Sequence, residues 1–597
     1  MKTITPATHA LNCNRNRAFH RITSASLFAF FALSLRLTSV GTSAQPADIL
    51  FVNGSIITVD DNNSIAESLA IRGDRILAIG TESELSKHRF RNTEVVDLQG
   101  RSLIPGLIDS HTHPTGASMI EWDHPIPEMP GIDDVLRYIG GRTAVLPAGD
   151  WIVLQQVFIT RLKERRYPTR EELDVAAPNH PVAFRTGPDA SLNSLALTKL
   201  KITRESIAPE GSKIERQSGS NEPNGIIRNW SRIFSIPSTG DTPDDADKLD
   251  QLSKLFQDYN SVGLTTISDR NASSSAMRLY QSLLENHRLS VRIAASRGVG
   301  NQGSASQIAQ QIELIAREPT THSSNLMLRT IGIKMFLDGG MLTGSAFMTE
   351  PWGVSSIYNI TDPEYRGLRF LDSYKLEAAV RACADFGLQF TAHSVGDGAV
   401  KALVDTYEKI GSTHPGLRET RPNVTHCNFM LPESIDKMAR LGISADIQPA
   451  WLYKDARTLT EQFGYERMSR FQPLRTLFEK NVLVGGGSDH MQKIGSLRSV
   501  NPYNPFLGMW ITMTRTAENQ STPVHPEHAL SRLQALRFYT ANNARLLFLE
   551  DQCGTLEPNK LADLVILDRD FLTCPTDEIR HIQVKQTYLG GVPVYSP

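Results

Sequence analysis

Residues 106–114 read Gly106-Leu-Ile-Asp109-Ser-His111-Thr-His113-Pro114 and follow the apolar residues Leu103 and Ile104. A short apolar run that enters a polar tip reads as a buried strand with its chemistry at the end. Histidines at i and i+2 of a strand point to one face, so both imidazoles can reach a single ion. By itself a His-x-His pair is as easily a chance pairing. Its weight comes from what the rest of the chain does.

Outward from this stretch, strands alternate with helical patterns, the signature of βα units and a parallel sheet. Eight strands are expected: Leu103–His111, Thr265–Asp269, Val291–Ser296, Ile331–Leu337, Gln389–His393, Val424–Cys427, Ser444–Gln448 and Val482–Ser488. Amphipathic segments such as Ala246–Tyr259, Ser306–Ala316, Tyr374–Phe386 and Pro432–Leu441 fall between them. Eight units predict an α/β fold, a closed (β/α)8 TIM barrel. Enzymes on that fold place their reactive groups at the C-terminal ends of the strands. There this chain carries His111 and His113, then Lys334 in Gly332-Ile-Lys334-Met-Phe-Leu-Asp338-Gly339. It continues with His393-Ser-Val-Gly396-Asp397, Thr425-His426-Cys427 and Gly486-Gly487-Ser488-Asp489. Four histidines and an aspartate at one edge suit Zn²⁺ or a similar divalent ion.

The barrel has additions. Short β-rich runs at 49–97, with turns at Asn53-Gly54 and Gly73-Asp74, match a β-rich piece at Asp563–Leu567, Ile582–Tyr588 and Val592–Val594. Each is too small to stand alone, so the two ends are expected to form one β-sandwich, from 45–102 and 551–597, around a barrel spanning 103–550. The gap from about 114 to 263 is too long for one connection and predicts an inserted subdomain over the barrel mouth.

Across its 597 residues the chain has 62 Lys plus Arg against 64 Asp plus Glu, a formal charge of −2 that gives no electrostatic basis for nucleic-acid binding. Five cysteines without repeated spacing exclude a disulfide scaffold, and Cys383 and Cys427 read as core thiols. The first acidic residue is Asp48. Before it, Arg15, Arg17 and Arg21 precede the apolar run Leu27–Leu35 and small residues up to Ala44. This is the layout of a signal peptide, residues 1–44, which predicts export to a secreted or periplasmic location, with a mitochondrial presequence as the alternative. The run is too short to span a bilayer, and no later stretch is long and apolar enough. A homo-oligomer is left open.

These motifs resemble the amidohydrolase superfamily, and within it the amidohydrolase-3 or YtcJ-like group that includes N-substituted formamide deformylases. The resemblance covers nearly all of the chain after the leader. It is carried by the stretch 106–114, by Lys334-x-x-x-Asp338-Gly339, by His393-x-x-Gly396-Asp397 and by Gly554-Thr-Leu-Glu-Pro-Asn-Lys-Leu-Ala-Asp-Leu-Val-Ile-Leu-Asp568. It implies one or two divalent ions per chain, Zn²⁺ first among them. His111, His113 and Asp489 would hold one ion and His393 and His426 the other, with Lys334 bridging as N6-carboxylysine. The alternative is an unmodified Lys334 and a single ion. Asp489 would be the general acid and base, and the substrate a small amide cleaved at its C–N bond.

Two departures bear on the substrate. Where relatives carry Asp-Gly-His before Asn-Ser, this chain reads Gly187-Pro188-Asp189-Ala-Ser-Leu-Asn193-Ser194, and Asp489 is followed by His490-Met-Gln rather than Ala-Pro. Asp338, Asp397, Trp352, Trp451, Tyr453 and His490 are the candidate substrate contacts; ordinary packing explains the three aromatic residues equally well, and His490 reads as an extra ligand, a substrate contact or a plain loop histidine. A hydrolase of cyclic amides, carbamates or esters, or an inactive binding protein on the same fold, remains a rival. Gly298-Val-Gly300-Asn-Gln-Gly303 mimics a dinucleotide fingerprint, but no acidic residue closes a second strand at the required offset.

Overall fold

The computed structural model describes residues 45–155, 157–236 and 242–597. The expected leader, with Cys13 and the cleavage point after Ala44, lies outside the described residues.

Eight strands form one sheet in chain order: β1 (Leu107–Thr112), β2 (Leu264–Asp269), β3 (Arg292–Gly298), β4 (Leu328–Phe336), β5 (Gln389–Ser394), β6 (Asn423–His426), β7 (Ser444–Ile447) and β8 (Val484–Gly486). Every neighbouring pair is parallel. Buried on both faces, these strands read as runs rather than alternations, and all six residues of β2 are buried. The helices between them turn one apolar stripe inward. Ser304 and Gln307 form a capping box that starts Ala305–Ala316, and Ile308, Ile312 and Ile315 are its buried face. The fold is a (β/α)8 barrel.

The barrel closes between β1 and β8 by an unusual division of labour. At the C-terminal end the backbones bond directly, with Asp489 N–H donating to His111 O and His113 N–H to His490 O, both at 2.8 Å. In the middle, the Asp109 carboxylate accepts the N–H of His111 (2.9 Å) and of Ser488 (3.0 Å). At the base, Asn543 on helix Ala541–Leu546 donates to Ile108 O at 2.5 Å and Gly486 O at 2.7 Å. This crowding explains Gly485-Gly486-Gly487. A Cβ on them would strike Asn543, Phe538 and His111 respectively.

Strand one was expected to run unbroken over Leu103–His111; the structure divides it. Ser102–Pro105 pairs with Leu564–Leu567 and Ser55–Ile57 in a six-stranded sheet, and the barrel strand starts only at Leu107. Gly106 is the crossing point, because a side chain there would collide with Thr265. A four-stranded sheet from residues 49–97 packs against the six-stranded one through Phe51, Leu69, Ile71, Leu103, Leu564 and Tyr588.

The insert builds a five-stranded sheet in the order 213–216, 223–228, 189–192, 182–186, 152–154. It is shorter than the expected 114–263. Helix Asp245–Ser261 buries Leu252, Leu255, Phe256 and Tyr259 and packs on β2, so it belongs to the barrel. The four described cysteines are unpaired, with Cys383 and Cys427 buried. No described helix is long and apolar enough to cross a membrane.

Asn543→Ala would strand two buried carbonyls at the base of the seam, a cost of roughly 2–5 kcal/mol. We expect a lower urea midpoint of unfolding; a midpoint equal to wild type would show that the seam does not depend on this side chain.

Candidate metal centre

His111 lies near the end of β1 with no exposure, and His113 follows it with a quarter of its side chain exposed. Barrel closure brings Asp489 onto them. His111 Nε2 and His113 Nε2 are 3.3 Å apart, and Asp489 Oδ1 lies 3.5 Å from the first and 3.2 Å from the second. All three donor atoms fall within 4.8 Å of one another. Two imidazoles and a carboxylate at that spacing suit a divalent ion of the zinc type.

The other three expected residues border this triad. The His426 ring is 4.8 Å from that of His111 and 4.6 Å from that of His393, centre to centre. Register places Lys334 beside Thr391 on β5, two positions before the pair Phe336 and His393. The charge of Lys334 contributes to the low pKa of His111, His393 and His426, after burial, which is the main cause. His393 is pulled down to about 3. All three are therefore neutral imidazoles, the form that ligates metal. Lys334 is buried, and burial brings its ammonium down to about 8. Among the described residues its Nζ has no hydrogen-bond or ion-pair partner; it lies 5.3 Å from the Phe336 ring centre.

Ring orientation is set by residues that the sequence reading passed over. Asp446 on β7 sits 3.1 Å from His111 Nδ1, which leaves Nε2 facing the triad. Gln448, two residues on, meets His426 Nδ1 at 2.7 Å and donates to Asp446 at 2.8 Å. Asp446 also accepts from Asn423 and Thr425, both at 3.1 Å, and has the buried Arg270 guanidinium 3.5 Å away. A carboxylate behind a ligating histidine fixes its tautomer and strengthens it as a ligand. The signal was present: Asp446 and Gln448 are polar residues at i and i+2 of a buried strand, where burial demands a partner.

The six candidate substrate contacts divide. Asp338 accepts the backbone N–H of Phe347, Val395 and Gly396 at 3.0–3.1 Å, and Asp397 accepts that of Thr349 at 2.7 Å. Both are fully buried and tie the loop after β4 to the end of β5, and Asp338 Oδ1 also lies 3.9 Å from His393 Nε2. Trp352 is buried against Tyr358 and Phe463 and donates to Ala346 O at 2.8 Å, a packing role. Trp451 stacks on the His426 ring at 4.8 Å. Tyr453 reaches a cavity at the barrel mouth. His490 has no free nitrogen: Nδ1 is 2.7 Å from the Tyr259 hydroxyl, and Nε2 is 2.8 Å from both Gln492 O and Lys493 O. Facing two carbonyls, Nε2 carries the proton and Nδ1 accepts. His490 is a clamp on its loop, neither ligand nor substrate contact. In the insert, Asp189 is taken up by the buried Arg228 (3.3 Å) and by Ser345 (2.8 Å).

A parallel barrel with a convergent His-His-Asp set at its C-terminal rim defines the class as a barrel hydrolase of the metal-dependent type. The chain matches the sequence model of the Amidohydrolase family over residues 94–595 and belongs to that family. It is an amidohydrolase, a hydrolase of carbon–nitrogen bonds. It is 27% identical to an N-substituted formamide deformylase of Arthrobacter pascens, over 92% of this chain and 99% of the relative. It is 24% identical to the putative amidohydrolase YtcJ of Bacillus subtilis (strain 168), over 91% of this chain and 98% of the relative. The solved structure of an uncharacterised metal-dependent hydrolase from Pyrococcus horikoshii shares the fold, with a TM-score of 0.62 at 19% identity over 89% of this chain and 99% of that one.

His490→Phe keeps the packing but leaves the Tyr259 hydroxyl and two carbonyls unpaired, at about 1–3 kcal/mol for each group left buried. We expect lower stability with the metal content of the wild type, whereas His113→Phe should lose metal. Loss of metal from His490→Phe would make it a ligand after all.

Proposed function

We propose that this amidohydrolase uses a divalent ion, Zn²⁺ by the donor set, to hydrolyse a small amide, N-acyl or formamide-type substrate at its C–N bond. The observation that carries the reading is the convergence of His111, His113 and Asp489 within 4.8 Å at the barrel seam. A bound ion would lower the pKa of water towards neutrality and polarise the substrate carbonyl.

The protein's own groups supply the rest. His111, held by Asp446, and His426, held by Gln448, present Nε2 without needing to turn. Asp489 is buried, and burial raises its carboxyl above the ordinary aspartate range. That suits a group which takes a proton from the attacking water and hands it to the leaving nitrogen. Lys334 fits a bridging role once carboxylated: its neutral amine adds to carbon dioxide, forming an N–C bond and releasing one proton. Burial favours the neutral amine, and the absence of any partner at Nζ among the described residues leaves it free to react. His393 and His426 would then complete a second ion position. The name of the Arthrobacter pascens relative supports an N-formyl or similar amide as the substrate type. The acid-free leader supports export, and the mature protein should begin near Gln45 when its N-terminus is sequenced.

Elemental analysis of the purified protein should find about two ions per chain, falling in Lys334→Ala. Asp489→Asn should lower kcat by roughly 10²–10⁴ on amide substrates, more than it lowers metal content. Metal-free protein, or turnover indifferent to a chelator, would overturn the reading. One ion unaffected by Lys334→Ala would overturn the bridged pair alone.

A further inference from the structure

A cavity of about 600 Å³ opens at the barrel mouth between the insert, the loop after β8 and helix Pro449–Met468. No metal-centre residue lines it, but it is linked to that centre through one intervening residue on each of two sides. On one, Asn501 donates to Asp489 O at 2.8 Å and accepts from Arg161, a lining residue, at 3.1 Å. On the other, the lining residue Tyr453 is two positions beyond Trp451, which stacks on His426. Lys493, also lining, is four residues from Asp489, so their Cα atoms are at most roughly 14 Å apart.

The lining is cationic, with seven lysines and arginines against Glu128 and Glu518. Five of the seven are already paired with carboxylates, as Arg161 is with Asp455 and Lys454 with Glu518. Lys163 and Lys493 have no carboxylate within ion-pair distance among the described residues. Lys163 is exposed, which makes it ordinary. Lys493 is only 7% exposed. Of its three N–H donors one meets Ile126 O, at 2.9 Å. The nearby Glu121 is committed to Arg498 through both oxygens, at 2.7 and 2.9 Å.

The chain also spends conformational energy to keep this lysine where it is. Lys493 adopts φ +58°, a left-handed backbone that a side chain disfavours. His490 holds that conformation through its bonds to Gln492 O and Lys493 O, and Gln492 is fixed in turn by Gln155 O (2.9 Å) and Ser499 Oγ (2.5 Å). A buried cation with spare donors, in a clamped loop beside a reaction centre, is arranged to receive an anion.

We propose that Lys493 binds a carboxylate at the far end of the substrate, so that the enzyme acts on N-acyl amino acids or similar anionic amides rather than neutral ones. This rests on the amide-hydrolase reading above and names its substrate class. A charge-assisted hydrogen bond in a partly enclosed site gives about a tenfold to hundredfold preference for the anionic substrate.

The test uses the metal-loaded full protein and N-acetyl amino acids from N-acetylglycine to N-acetyl-6-aminohexanoate, each beside its uncharged N-methylamide. Acetate release gives kcat and KM, and calorimetry gives binding of the acids independently of turnover. At least one acid should exceed its neutral partner about tenfold in kcat/KM, chiefly through KM. In Lys493→Met that ratio should collapse towards one, and Lys493→Arg should restore part of it. Equal use of acids and neutral partners by the wild type, or an unchanged ratio in Lys493→Met, overturns the proposal and leaves the hydrolase reading standing. Binding of an acid that depends on Lys493, without release of acetate from any compound, supports this site and counts against the amide chemistry.

Discussion

The hydrogen bonds from Asp489 N–H to His111 O and from His113 N–H to His490 O close the barrel through the backbone of the same residues whose side chains form its candidate metal centre. A parallel sheet cannot close unless its first and last strands meet, and here they meet at the residues that carry the donors. The distances within the triad are therefore fixed by backbone register, and no flexible loop has to bring the ligands together. The seam can be tight there because glycines 485–487 leave the approach clear and Asn543 takes over the bonding lower down. Anything that opened the seam would separate His111 from Asp489 before it disturbed the remaining strands.

Burial then sets the charge state of what the seam assembles. The barrel interior desolvates His111, His393 and His426, and that burial makes their protonation costly. The site thus favours imidazoles that accept a cation over imidazoliums that repel one. Asp446 works against that trend as the fixed negative charge of the interior, shared among Arg270, His111, Asn423, Thr425 and Gln448. By orienting His111 and, through Gln448, His426, it makes the arrangement of β7 matter to ligands on β1 and β6.

Much of this was legible in the sequence because strand ends and metal ligands impose their own spacing. Helix Pro432–Leu441 matches its expected bounds, since Pro432 at its first position and Gly442 after its last mark both ends. His111 and His113 could be paired from their i, i+2 spacing. The division at Gly106 was marked by Pro105-Gly106, a pair that interrupts strands, but the apolar residues on both sides masked it, and pairing in space shows that Ser102–Pro105 belongs to another sheet. Helix Asp245–Ser261 was expected between the barrel strands, over Ala246–Tyr259, although the insert bounds of about 114–263 also took it in; amphipathic periodicity shows that a face is buried but does not name the surface that covers it. His490 was left open between chemistry and a plain loop role by its residue type. A histidine next to a metal ligand looks like chemistry, and its bonds to two carbonyls and a tyrosine depend on contacts from Tyr259, 231 positions away.

Among the non-glycine residues with left-handed backbone are three that present polar groups around the centre: His426 at φ +78°, Asp489 at +54° and Lys493 at +58°. Each costs of the order of 1–3 kcal/mol. Glycine would relieve that strain, and Gly487 shows that the chain uses glycine freely where space requires it. The strained positions are instead those where an imidazole, a carboxylate and an ammonium are presented. Each is held by a neighbour: Asp489 by His111 O, His426 by Gln448 and Lys493 by His490. Strain at His426 and Asp489 falls where a barrel strand turns out at its rim. Lys493 lies well beyond the end of β8, where no strand geometry demands it, and its clamp includes the histidine that departs from the related motif. Lys493 therefore shares its backbone conformation with His426 and Asp489 for a different reason, the clamp by His490 rather than the turn at a strand end.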